Sequence, residues 1–226
     1  MTAPNNDVHP MVIGVWGDDK TGKSTLALTC PKPMVVMELD IGGYARAKYR
    51  FQSDVDSGAI KYEMYPLPMQ VGNLDLDHTK IAVTKNVSGM KELFYKWLGS
   101  YINHLKDPKL ATIVVDTATL LYNPVICDCY LQELQENARD GKVRTQLTQI
   151  EYREPNNRMR GIIYNAKASG KNLVMVHHSR DEYKSQTRMV NGQLLTESVQ
   201  TGNKERAGFG TLGDSADIIV HTSWNK

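Results

Sequence analysis

The sequence predicts an α/β fold, a mainly parallel central sheet flanked by helices on both faces, and three observations carry that prediction. Six short apolar, β-rich runs (11–16, 34–39, 60–67, 111–116, 172–178 and 216–222) alternate with longer helical stretches. Such alternation builds parallel strands joined by crossover helices. A glycine-rich stretch follows directly on the first run. The chain also has 226 residues at 41% hydrophobic composition, enough for one substantial core and cramped for two. Residues 1–10 are therefore expected as a flexible polar lead into a single domain spanning 11–226. In open α/β sheets ligands gather at the carboxyl ends of the strands, so the residues that follow each run carry the functional reading.

The first run, "MVIGVW", passes into "GDDKTGKST" at 17–25. Gly17, Gly22, Lys23 and Ser24 fit Gly-x-x-x-x-Gly-Lys-Ser, with Asp18, Asp19, Lys20 and Thr21 as the loop between and Thr25 just after. The glycines let successive N–H groups turn inward around a phosphate. A helix opening at about Lys23 adds its free amides and the positive end of its dipole. Lys23 would reach the β- and γ-phosphate oxygens, and the Ser24 hydroxyl would hold Mg²⁺. Pro31 and Pro33 stop this helix.

The second run ends in "MELDIGGYAR". Glu38 and Asp40 lie two apart, so both face one way if the strand persists, and Gly42-Gly43 allows a tight turn beyond them. One of these carboxylates is the candidate to activate the attacking water. The stretch 88–105 has apolar residues at near-helical spacing, and the run at 111–116 ends in Asp116, the pattern of an acidic residue that holds Mg²⁺ opposite the loop serine. Cys127 and Cys129 sit two apart in a helical stretch, where they do not share a face and read as thiols rather than a zinc site.

Residues 139–171 hold eight basic side chains against three acidic, a local excess that suits a phosphate backbone, with 158–169 reading as helix. The run at 172–178 ends in His177-His178, which face opposite sides of an extended chain. The second is placed to hydrogen-bond a γ-phosphate and report its presence. Residues 179–210 are polar and glycine-punctuated, and "RMVNGQLL" reads as a small Asn-Gly hairpin. The net charge of +2 gives no global nucleic-acid signature. No run approaches the ~18 apolar residues of a membrane span, and the polar N-terminus has no signal core, so a cytoplasmic protein without membrane contact is expected.

Taken together and in this order, these segments resemble the RecA-like P-loop recombinase ATPases. "LATIVVDTATLLY" is similar to that family's second nucleotide motif, and "VVMELDIGGYAR" to its strand ending in Asp-x-Glu-Gly, whose glutamate activates water. Here Asp40 stands in the place of that glutamate and Glu38 in that of the preceding aspartate, a departure that leaves the catalytic assignment open between them. "NLVMVHH" resembles the strand whose terminal polar residue couples γ-phosphate to a DNA-binding loop, a place His178 takes. Reaching its phosphate loop by residue 17 and stopping soon after Thr222, the chain looks like the core-only, phage-encoded annealing ATPases of the fourth Sak class.

The resemblance implies ATP and Mg²⁺ as cofactors, single-stranded DNA as partner, a homo-oligomer, and a single-strand-binding protein as a further partner. It implies mobile DNA-binding loops at 139–160 and 179–210, with Arg144, Arg153, Arg158, Arg160, Arg180, Tyr183, Lys184 and Arg188 as candidate contacts. Lys204 and Arg206 are candidates to reach a neighbouring subunit's γ-phosphate. Two rival readings stand beside it. One is a small-molecule P-loop kinase using 179–210 as a lid; the other is a nucleotide-switched assembly module with little hydrolysis.

Overall fold

A computed structural model describes residues 9–68, 88–138, 144–190 and 193–224. In chain order these form β1 (Val12–Gly17), α1 (Lys23–Ala27), β2 (Met34–Glu38), α2 (Gly43–Ala47), α3 (Gln52–Asp56), β3 (Ile60–Met64), α4 (Met90–Lys106) and β4 (Thr112–Asp116). There follow α5 (Ala118–Leu120), α6 (Cys127–Glu136), α7 (Arg153–Ala168), β5 (Asn172–Val190), β6 (Gln193–Arg206) and β7 (Ile218–Thr222). The sheet order is β3-β2-β4-β5-β1-β7, and every one of these neighbouring pairs is parallel. This is the mainly parallel, helix-flanked sheet that the alternation of runs predicts.

The central strands are apolar on both faces because both faces are covered. Val35, Met37, Ile113, Val115, Leu173 and Met175 turn one way and join α4 and α7 through Leu93, Phe94, Trp97, Tyr101, Met159, Ile162 and Ile163. Their alternates Met34, Val36, Val114, Val174 and Val176 turn the other way, against Ala27, Leu28, Tyr44 and Ala47. Trp97 and Tyr101, one turn apart on α4, stack with ring centroids 5.1 Å apart. The Tyr101 hydroxyl donates to the Ile162 carbonyl at 2.7 Å and ties α4 to α7.

The six expected strands all form, within a residue or two at their starts, but the structure departs from the sequence expectation in three places. β5 runs on past His178 and pairs antiparallel with β6 as far as Val190↔Gln193, so most of the expected loop 179–210 is a two-stranded ribbon. Helix α7 starts at Arg153, which turns the second half of the expected loop 139–160 into helix. Residues 43–56 form short helical pieces that the apolar pattern does not announce. Residues 1–8 of the lead expected at 1–10, Arg139, Asp140 and Lys142 of the basic segment, and the Asn191-Gly192 pair of the expected hairpin lie outside the described residues.

The order of the strands positions the site. β5 lies between β4 and β1, in register Asp116↔Val176 and Gly17↔His178. The ends of β1, β2 and β4, and the point at His178 where β5 leaves the parallel sheet, thereby meet along one rim.

Candidate active site

At the end of β1 the chain turns under a steric constraint: a Cβ on Gly17 would sit 2.1 Å from the Thr222 carbonyl oxygen, so only glycine fits against β7. Lys20 holds a left-handed φ of 62° and Gly22 one of 90°, curling the loop back before α1. No side chain caps α1. Thr21 Oγ1 meets Thr222 Oγ1 at 2.7 Å and donates to the Asp18 carbonyl at 2.8 Å, which pins the loop to β7.

Lys23 is buried and donates from Nζ to the carbonyls of Gly17 and Asp18 at 2.9 and 2.6 Å. Burial lowers its pKa, and the carboxylates of Asp19, Asp116, Asp18 and Asp40 pull the other way. Ser24 Oγ donates to Asp116 Oδ2 at 2.6 Å, joining the loop to the end of β4. Asp116 is pushed up to about 6, first by burial and then by Glu38 and Asp40, against the Ser24 hydrogen bond and Lys23. A Cβ on Gly43 would lie 3.0 to 3.2 Å from Asp116 Oδ2, Glu38 Oε1 and Ser24 Oγ, so the start of α2 abuts all three.

Glu38 and Asp40 do not share a face, because β2 ends at Glu38. The Leu39 and Asp40 amides both turn toward the Asp116 carbonyl, at 2.6 and 3.4 Å. Glu38 is 1% exposed and accepts from the Tyr44 amide at 2.8 Å and the Tyr62 hydroxyl at 2.5 Å. It holds α2 against the sheet. Asp40 instead faces the open cleft, where His178 stands between two acids, Nε2 3.6 Å from Asp40 Oδ2 and Nδ1 3.8 Å from Asp19 Oδ1.

His177, on the opposite face, is fully buried and meets the Ala207 carbonyl through Nδ1 at 3.2 Å. Burial, with Arg206 nearby, lowers its pKa to about 3, so it is neutral.

These groups line a cleft of about 600 Å³ that holds Lys23, Ser24, Asp40, Asp116 and His178 together. Its far wall carries Arg46 and Arg50, which the apolar pattern does not reveal; their spacing of four, one helical turn, is the signal the sequence does carry. Ser24 and Asp116 are hard oxygen donors that fit Mg²⁺ completed by phosphate and water. Among the described residues no three His, Cys, Asp or Glu side chains gather as a metal site, Cys127 and Cys129 included.

The basic candidates outside the cleft are scattered. Arg158 is drawn inward, donating to Glu133 and Glu154 at 2.7 and 3.1 Å beneath the rings of Phe94 and Tyr130. Arg144 pairs with Glu151. On the ribbon, Arg180 pairs with Glu205, Lys184 with Glu182, Arg188 with Glu197 and Lys204 with Asp181. Arg206 donates to the carbonyls of Phe209 and Gly210, at 2.8 and 3.2 Å. Arg153 and Arg160 are exposed and make no ion pair among the described residues. Tyr183 is exposed beside an irregularity in the ribbon's register between Asp181 and Tyr183.

A model of the AAA domain family matches residues 9–206. Among solved structures, a KaiC-like protein from the hyperthermophilic archaeon Pyrococcus horikoshii OT3 is similar at 12% identity, over 88% of this chain and 83% of that one, with a TM-score of 0.33. No curated protein matches the chain.

Proposed function

Since the chain belongs to the AAA domain family, we propose that it binds and hydrolyses Mg-ATP and that the cycle governs assembly on single-stranded DNA in recombination or annealing. One observation carries the ATPase reading: Ser24 bonds to Asp116 at 2.6 Å inside the cleft that also holds Lys23, Asp40 and His178.

Lys23 would exchange the Gly17 and Asp18 carbonyls for phosphate oxygens, a swap of one set of charge-assisted bonds for a stronger one. Ser24 and Asp116 would hold Mg²⁺, which offsets charge on the phosphates. Asp40 would orient the water and take its proton; what supports it over Glu38 is that Asp40 lines the cleft while Glu38 is engaged by Tyr44 and Tyr62. His178, between the loop's Asp19 and Asp40, would register a terminal phosphate and pass its presence along β5 to the ribbon.

The support for single-stranded DNA is local. Arg153 and Arg160 offer charge free of ion pairs among the described residues, and Tyr183 offers an exposed ring for stacking. The ribbon's own cations are paired, so a phosphate there has to displace a carboxylate. A homo-oligomer, with Lys204 and Arg206 acting across subunits, and a cytoplasmic setting complete the reading. The segment that the kinase reading would use as a lid forms the ribbon of β5 and β6.

The deciding measurement is steady-state ATP hydrolysis with and without single-stranded DNA, beside Lys23→Ala. Severalfold stimulation by DNA, lost in the variant, is expected; turnover by Lys23→Ala at the wild-type rate would falsify the assignment. The engaged Glu38 favours a second reading, a switch that assembles on ATP and turns over slowly. Assembly on a non-hydrolysable analogue with no measurable phosphate release would select it.

A further inference from the structure

Four cations line the cleft. Lys23 is held by loop carbonyls, whereas Lys20, Arg46 and Arg50 make no ion pair among the described residues. Lys20 belongs to the phosphate loop itself. Arg46, on α2, and Arg50, on the tight helical turn after it, come from a different part of the chain and line the same cleft.

Their placement follows from how α2 is held. Gly43, its first residue, packs against Ser24, Glu38 and Asp116, and positions three and seven further along a helical path share its face. Those positions are Arg46 and Arg50. The path beyond α2 stays helical, with one tight turn over Lys48–Phe51. The scaffold is fixed from behind: Glu38 accepts from the Tyr44 amide, and the Tyr44 ring stacks on Tyr62 with centroids 4.3 Å apart. Arg46 also reaches back over the turn, since a Cβ on Gly42 would lie 2.9 Å from its Nη1.

Neither guanidinium group makes an ion pair among the described residues, so an anion in the cleft they line would meet both uncompeted by a direct carboxylate contact. Guanidinium presents a planar fork that matches phosphate oxygens, and a rigid element keeps that fork in place before the ligand arrives. The two cations considered for action across subunits are not directed at the cleft of their own chain: Lys204 is paired with Asp181, and Arg206 with the Phe209 and Gly210 carbonyls.

We propose that Arg46 and Arg50 form a second anion site in the cleft they share with the phosphate loop, in the same chain, which takes the terminal phosphate of a bound nucleoside triphosphate and so discriminates triphosphate from diphosphate. The inference rests on the nucleotide reading above. It gives the chain an in-built contact to the group that leaves, separate from any contact a neighbouring subunit supplies.

The test is equilibrium titration of the full chain, with Mg²⁺, by ADP and by the β,γ-imido analogue of ATP. Wild type, Arg46→Ala, Arg50→Ala, Arg46→Lys and Lys23→Ala are compared. Each arginine-to-alanine change is expected to weaken the triphosphate analogue by roughly tenfold to a hundredfold and to leave ADP within about twofold, with Arg46→Lys intermediate because charge without the fork is retained. Unchanged ADP affinity also reports that the variants are folded. Equal weakening of both nucleotides, or no change in either, overturns this inference and leaves the nucleotide site standing. A wild-type chain that binds neither nucleotide, or Lys23→Ala that binds both as wild type does, overturns the nucleotide reading and this inference with it.

Discussion

Asp116 concentrates the electrostatic cost of the cleft. Its carboxyl stands near 6, raised from 3.8 by burial and by Glu38 and Asp40, so between those values the folded state binds a proton that the unfolded state has released. The residue's contribution to stability is therefore full below about pH 4 and lost as pH rises through 6. Asp116→Asn should raise the stability of the nucleotide-free protein at pH 7.5 by about 1–3 kcal/mol and abolish Mg²⁺-dependent ATP binding. Urea midpoints at pH 7.5 and pH 4 check the first claim, with the gain shrinking at the lower pH. His177 acts at the acid end. Its pKa falls from 6.5 to about 3 through burial, so the stability it allows is present above 6.5 and declines as pH drops toward 3. His177→Leu should flatten the unfolding free energy over pH 6.5 to 4 by about 1.4 kcal/mol per pH unit; an unchanged slope would place the titration elsewhere. The candidate residues were legible at this scale because glycine and lysine at fixed offsets, as at Gly17, Gly22 and Lys23, are the pattern a phosphate cradle demands, and the structure gathers Lys23, Ser24, Asp40, Asp116 and His178 in one cleft. The separation of Glu38 from Asp40 was not, since it depends on where β2 stops and on Tyr62, which lies 24 residues away in sequence.

Elements differ in how far they announce themselves. β2 and β4 bury all five of their residues, so each reads as a β-rich apolar run closed by one buried carboxylate, Glu38 or Asp116. Helix α4 shows its stripe plainly, and Trp97 at its centre is fully buried. Trp97→Ala should cost about 3–5 kcal/mol, measured as a loss in denaturant midpoint with the m-value unchanged. α2 and α3 have five residues each and no side-chain cap; packing against the sheet rather than propensity forms them, so local sequence carries little trace. The ribbon is hidden for another reason. A two-stranded ribbon with both faces exposed needs no apolar alternation, and its pairing is written in the cross-strand charges Arg180–Glu205, Arg188–Glu197 and Lys204–Asp181. Replacing residues 182–203 by a short turn should leave ATP binding within about twofold while removing DNA stimulation of hydrolysis. Retained stimulation would move the DNA contact to Arg153 and Arg160.

At the scale of the molecule, the sheet order brings the loop after β1, the acidic end of β4 and the start of α2 to one rim, although they lie up to about a hundred residues apart. The alternation of runs made the sheet legible, whereas its order was not, because nothing in β5 itself says that it enters between β4 and β1. With a net charge of +2 and most of the candidate contact cations paired, DNA affinity should depend on few phosphate contacts. The slope of log affinity against log salt is expected to be shallow, roughly −2 to −3, and titrations at several salt concentrations would read it directly.

β5 leaves the sheet without a break, passing from Val176 through His178 into the ribbon as a single strand. The twelve residues beyond His178 span roughly 40 Å. The strand is thus long enough to act as a lever with its fulcrum beside the cleft, and a tilt of about 5° at His178 would sweep the distant end through roughly 3 Å. A displacement too small to disturb the core is enough there to exchange one set of surface contacts for another.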